Sequence, residues 1–148
     1  MRYDVGMTTT NTSTTETAPT FYPALRYRDA RAAITWLCHV FGFKERAVYG
    51  DAESVHHAEL TFGNGIVMLG SSRPDACGRS PAELEGAVTG SIYAAVAEID
   101  AHYRHAKEAG ATIVREIQDT DYGSREYSAR DPEGHLWSFG TYRPAVET

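Results

Sequence analysis

The spacing of hydrophobic and polar positions along the chain runs through the same programme twice. FYPALRYRD, residues 21–29, alternates apolar and polar side chains and predicts a strand. Asp29 then stands where a helix N-cap belongs, and Ile34, Leu37 and Phe41 recur at helical spacing, so a helix is expected over 30–41, stopped by Gly42. FKERAVYG (43–50) and VHHAELTF (55–62) read as strands, GNG as a hairpin turn, and the unbroken apolar run IVMLG (66–70) as a buried strand. After a Gly-, Ser- and Pro-rich stretch the order returns. SIYAAVAE (91–98) is a strand, and a helix over 99–109 points Ile99, Tyr103 and Ala106 inward before Gly110. ATIVREI (111–117), GSREYSARD (123–131) and HLWSFGTY (135–142) complete the series, with DPEG turning the chain between the last two.

The two halves superpose at a nearly constant offset. Gly42 and Gly110, which end the helices, are 68 residues apart, and Gly65 and Gly134, which end hairpin turns, are 69 apart. Two independent landmarks therefore give one internal repeat of the form βαβββ. The fold class expected is α+β, with two such modules forming a curved eight-stranded open barrel around a cleft. The boundaries are 1–20 for a disordered Thr- and Ser-rich tail, about 21–70 for the first module, 71–90 for the connector and about 90–143 for the second module. Within the connector, Ser80 and Glu83 have the spacing of a capping box and predict one helical turn. The connector reads either as a lid over the cleft or as a simple link.

Composition narrows the functional classes. With 14 Lys and Arg against 20 Asp and Glu, the 148-residue chain carries a formal charge of −6 and no basic block, which argues against nucleic acid or an anionic membrane as partner. No apolar run approaches the ~20 residues that span a bilayer, and the tail lacks the apolar region of a secretory signal. The two cysteines, Cys38 and Cys77, form no CxxC motif, so a cysteine-rich zinc module and a disulfide scaffold are excluded and a cytoplasmic setting is expected. Cys38 falls beside core positions of the first helix and reads as packed. No nucleophile elbow or phosphate-cradling loop occurs.

The doubled pattern, the opening LRYRDARAAITWLCHVFGF and the closing YGSREYSARDPEGHLWSFGTY together resemble the vicinal-oxygen-chelate superfamily, which includes glyoxalase I, extradiol dioxygenases and bleomycin-resistance proteins. The resemblance covers about residues 21–143. It implies the glyoxalase/bleomycin resistance fold and a homodimer, often with the cleft shared between chains. Metal-dependent members of that family hold a divalent cation with His and Glu on four strands, where it acts as a Lewis acid. Carried over one at a time, those positions fall on Tyr22, Met68, Ser91 and Ser138, none of which is His or Glu. No cofactor is therefore expected. The alternative is a divalent metal at a non-standard site, for which His57 and Glu59, sharing one strand face, and His135 are the candidate ligands. His39, and the group Glu98, His102 and His105, read as solvated or structural.

Strand alternation from the four family positions gives a candidate ligand-binding wall of Tyr22, Arg26, Ile66, Met68, Ser91, Tyr93, Leu136, Ser138 and Tyr142. Tyr122 and Arg125 stand at its mouth, where Arg125 either meets a ligand anion or pairs with an acid such as Asp131 or Glu133. This wall is aromatic, with a few hydroxyls and one cation, and suits a flat or amphipathic small molecule. The expectation is a metal-independent protein that binds or sequesters an antibiotic or metabolite. A glyoxalase-like lyase or a dioxygenase is the enzymatic alternative. An acid–base isomerase is disfavoured, because the wall as drawn holds neither carboxylate nor imidazole.

Overall fold

The structure is a computed structural model and describes residues 18–147, so the tail expected over 1–20 lies almost wholly outside the described residues. The first module runs β1 (Ala24–Tyr27), α1 (Ala30–Trp36), β2 (Lys44–Gly50), β3 (Val55–Phe62) and β4 (Gly65–Ser71). The second runs β5 (Ile92–Ala95), α2 (Ile99–Glu108), β6 (Thr112–Asp119), β7 (Arg125–Arg130) and β8 (Leu136–Gly140). Each module makes one four-stranded sheet, ordered β1-β4-β3-β2 and β5-β8-β7-β6, with a parallel first pair and antiparallel neighbours after it. The architecture is α+β, and among the described residues the two four-stranded sheets stay open, consistent with the curved open arrangement expected. No helix among the described residues is long and apolar enough to cross a membrane.

Side chains of opposite parity on each strand face opposite ways. Ala58, Leu60, Val67 and Leu69 of the first sheet, and Tyr127, Ala129, Trp137 and Phe139 of the second, are buried under the helices. Residues of the other parity stand on what we term the open face of each sheet.

Asp29 caps α1 as expected, accepting from the backbone N–H of Ala32 at 3.1 Å. The helix does not continue as α to Phe41, however. Leu37–Phe41 forms a π-helical turn, closed by Gly42 at φ 88°, where a side chain would be strained. The wider turn delivers Phe41 into the space between the modules, with ring centroids 4.8 Å from Phe139 and 5.7 Å from Trp137. Phe43 adds a contact at 5.4 Å to Trp137. The two modules thus share one core.

His102 is half-buried against that core, which corrects the expectation of a solvated face at this one residue, while Glu98 and His105 are exposed as expected. Its Nε2 lies 2.7 Å from the carbonyl oxygen of Phe41, and its Nδ1 lies 2.7 Å from the Tyr127 hydroxyl. His105 reaches the carbonyl of His39 in the same way, at 2.8 Å. Burial pushes the His102 imidazole below its ordinary pKa.

A second bond between modules is polar. Asp131, in the DPEG turn, is 4 % exposed. It accepts hydrogen bonds from the Tyr27 hydroxyl (2.6 Å), the Trp137 indole N–H (3.0 Å) and the backbone N–H groups of Glu133 and His135. Glu133 next to it accepts from the backbone N–H groups of Arg28 and Asp29 and from the Ser80 hydroxyl. Ser80 and Glu83 form the expected capping box on the 3-10 turn Pro81–Glu83, so this part of the connector is anchored.

Two outcomes are expected. Asp131→Asn leaves buried donors facing an amide and lowers unfolding stability by about 2 kcal/mol in denaturant titration. Because the folded His102 binds its proton less readily than the unfolded chain does, its contribution to stability is complete above about pH 6.5 and is lost as pH falls through the window below. In calorimetry across that window, His102→Gln flattens this part of the profile.

Candidate binding site

The open face of the first sheet holds a pocket of about 380 Å³, lined by Ala18, Pro19, Tyr22, Arg46, Tyr49, Glu59, Ile66 and Met68. Glu59 opposes Met68 across the β3–β4 ladder and is 9 % exposed. Arg46 donates to its Oε1 at 2.5 Å, and the His57 Nε2 lies 2.9 Å from its Oε2. Burial pushes the Glu59 carboxyl up, but the hydrogen bond to His57 and the charge of Arg46 outweigh it, so the group sits below the ordinary range and is ionised. Tyr49 stacks over His57 with ring centroids 6.3 Å apart. The pocket therefore combines a neutralised carboxylate with an apolar, aromatic lining.

The open face of the second sheet carries three exposed tyrosines around a second buried acid. The Tyr93 hydroxyl donates to the carbonyl of Tyr142 at 2.7 Å, and the rings of Tyr122 and Tyr142 meet edge to face at 6.2 Å. The Tyr122 hydroxyl lies 3.0 Å from each oxygen of Glu126, and Arg115 donates to Glu126 Oε1 at 3.1 Å. Glu126 is 6 % exposed. Gly140 opposes it in the ladder. A Cβ at Gly140 would stand 2.5 Å from the Glu126 Cγ and 2.7 Å from the Tyr93 hydroxyl oxygen, so only glycine lets these two side chains meet over β8. Ser138 is on the same face, bonded to Ser128 at 2.7 Å between hydroxyl oxygens.

The wall expected from sequence is thus divided. Tyr22, Ile66 and Met68 line the first pocket, and Tyr93, Tyr122, Ser138 and Tyr142 belong to the second face, with Ile66 and Tyr93 also lining a cavity of about 240 Å³ between the modules. Arg26, Ser91 and Leu136 line a third cavity of about 460 Å³, between β1, β8 and the connector, where Arg26 pairs with Asp75 at 3.2 Å. Arg125 lies on the helix side, pairing with Asp100 and Asp119 at 3.0 and 3.1 Å, and so leaves the wall. Its partners are neither Asp131 nor Glu133. His57 and Glu59, named from sequence only as alternative metal ligands, do touch, but as part of this first pocket's wall; the carboxylate Glu126 and the arginines Arg46 and Arg115 were missed. Their signal was present: β3 and β7 alternate as strictly as the strands that were used.

Metal chemistry was tested against these donors. Tyr22 and Met68 share the first pocket, Ser91 lines the third cavity, and the Ser138 hydroxyl is engaged with Ser128. A phenol, a thioether and two neutral hydroxyls, divided in this way, do not fit a divalent cation. The alternative ligands do not converge either. His57 and Glu59 touch, but the His135 Nε2 lies 2.9 Å from the carbonyl of Arg26, with its ring edge-on to Tyr27. Among the described residues, no group of three or more His, Cys, Asp and Glu side chains could hold a metal ion.

With this geometry in place, comparison with known proteins decides the family. Residues 20–139 match the model of the Glyoxalase/Bleomycin resistance protein/Dioxygenase superfamily. The chain belongs to that superfamily. An uncharacterized protein of Mycobacterium tuberculosis is 34% identical over 126 residues, covering 82% of this chain and 74% of that protein. The crystal structure of TioX from Micromonospora sp. ML1 is similar at 33% identity and a TM-score of 0.68, covering 88% of this chain and 99% of TioX. The fosfomycin resistance protein FosX of Listeria monocytogenes has the same fold at 12% identity and a TM-score of 0.60, covering 88% and 95%.

Gly140→Ala forces Glu126 and Tyr93 apart. It is expected to cost about 1–3 kcal/mol in chemical unfolding and to change the near-ultraviolet tyrosine dichroism, while the far-ultraviolet spectrum is kept.

Proposed function

We propose that this superfamily member is a metal-independent binding protein that holds an aromatic or amphipathic small molecule, an antibiotic or a metabolite. The observation that carries the reading is the first pocket. Two of the family's metal positions are occupied there by Tyr22 and Met68, and with Tyr49 and Ile66 they make an apolar, polarizable lining around a carboxylate whose charge is already balanced. Such a lining favours stacking and dispersion over Lewis-acid chemistry. The resemblance adds a homodimer to the proposal.

The pocket also supports a second reading. His57 and Glu59 make an imidazole–carboxylate pair in the wall, a group suited to proton transfer, and this revises the expectation that no acid or base faces the ligand. An acid–base isomerase thus stands beside the binding protein, and ahead of a lyase or dioxygenase.

The test is native mass spectrometry of protein grown with added Zn, Ni, Fe and Mn, followed by a thermal-shift screen of aromatic compounds. A metal-free protein is expected. A compound at 100 times its Kd is expected to add ~2.7 kcal/mol of stability. Tyr22→Ala and Met68→Ala each weaken such a compound about tenfold, the effect of losing ~1.4 kcal/mol of apolar contact. One metal per subunit, lost on replacing His57, Glu59 or His135, overturns the proposal in favour of a metal enzyme.

A further inference from the structure

The two open faces repeat one device with one change. Arg46 and Arg115 are 69 residues apart, on the second strand of each module, and each donates to Oε1 of a buried glutamate on the neighbouring strand. In the first module the other oxygen, Glu59 Oε2, meets the imidazole of His57, a group able to carry charge. In the second module no imidazole meets the acid among the described residues: the neutral hydroxyl of Tyr122 lies 3.0 Å from both oxygens of Glu126, sharing Oε1 with Arg115. Tyr122 lies in the turn between β6 and β7 and is 61% exposed, so its ring can swing off the carboxylate without disturbing the core. The place it leaves would be bounded by Tyr142 and by Tyr93 and Glu126, which close over Gly140.

Among the described residues Glu126 has one basic partner, Arg115, where Glu59 has both Arg46 and the His57 imidazole, so the position held by the Tyr122 hydroxyl is the one at which a ligand can bring further positive charge. Tyrosine faces attract cations, and a carboxylate of low exposure favours an N–H donor that brings its own charge over a neutral hydroxyl. The chain's net charge of −6 works in the same direction and disfavours anions.

We propose that the open face of the second module is a subsite for a planar, protonated nitrogen heterocycle, with Glu126 as its counter-charge, Tyr93, Tyr122 and Tyr142 as its aromatic walls, and the Tyr122 hydroxyl as a cap that the ligand displaces. The proposal rests on the binding-protein reading and adds to it the ligand's charge and a location separate from the first pocket.

Two tricyclic probes test it on the full chain by fluorescence titration at neutral pH: proflavine, a planar cation, and acridone, a neutral ring system of similar shape. Proflavine is expected to bind at least tenfold tighter than acridone, and to weaken as salt is raised. Glu126→Gln lowers proflavine affinity at least tenfold and leaves acridone within about twofold. Glu108→Gln, at the exposed end of α2, leaves both unchanged. Tyr122→Phe keeps the ring but removes the competing hydroxyl, so proflavine affinity rises several-fold. A Glu126 with only a structural role would not produce that gain, and this exposed substitution leaves the fold intact. Equal affinities for the two probes, or an unchanged Kd in Glu126→Gln, overturns the cation subsite while the binding reading stands. Failure of proflavine to bind the native protein overturns the subsite, while the binding reading is decided separately by the thermal-shift screen.

Discussion

The turn between β7 and β8 is the constraint on which the rest depends. Asp131 is an acid with almost no access to water, and an isolated charge there would be prohibitive. It is tolerated because four donors converge on it, and one of them, the Tyr27 hydroxyl, comes from the other module. Burial and the neighbouring acid both push the Tyr27 phenol upward, so it stays a donor. Glu133, two residues on, then holds the start of α1 through two backbone N–H groups and the connector through Ser80. A single turn of the second module thus fixes the entry of the first helix, the exit of the first strand and the path of the link between them. The aromatic packing of Phe41 and Phe43 on Trp137 and Phe139 follows from that placement.

Much of the fold was legible because it is written in local periodicity. The apolar stripe of the first helix, its Asp29 cap, the capping box at Ser80 and the burial of Trp137 and Phe139 all follow from neighbouring residues. What was not legible depends on residues distant in sequence. The widening of α1 into a π turn at Leu37–Phe41 serves a contact with β8, nearly a hundred residues later. His102 reads as a polar position on an amphipathic helix, and only the docking of Phe41 against it half-buries it on the core.

The site was partly legible for a similar reason. Tyr22 with Met68, and Tyr93 with Tyr122 and Tyr142, were identified and do come together, although on two faces rather than in one wall. Neither acid between them was placed in the wall, Glu59 being read only as an alternative metal ligand and Glu126 not at all, because the wall was drawn from strands that carry metal ligands in relatives. Glu59 and Glu126 are on the strands next to those. Arg125 shows the limit of charge as a guide: Tyr127, two residues on, is a core side chain, and the parity of the strand alone puts Arg125 on the helix side with Asp100.

The common interior has a consequence for how such a protein changes over generations. Because each module's helix-side residues are committed to the shared core, neither half can be redesigned alone without loosening the other. The outward parity carries no such obligation, apart from the two acids and the glycine that shelters one of them. Tyr22, Met68, Tyr93 and Tyr142 can therefore be exchanged with little penalty to folding. The architecture separates what must be inherited together from what is free to drift, and a lineage built on it can acquire a new ligand one outward side chain at a time.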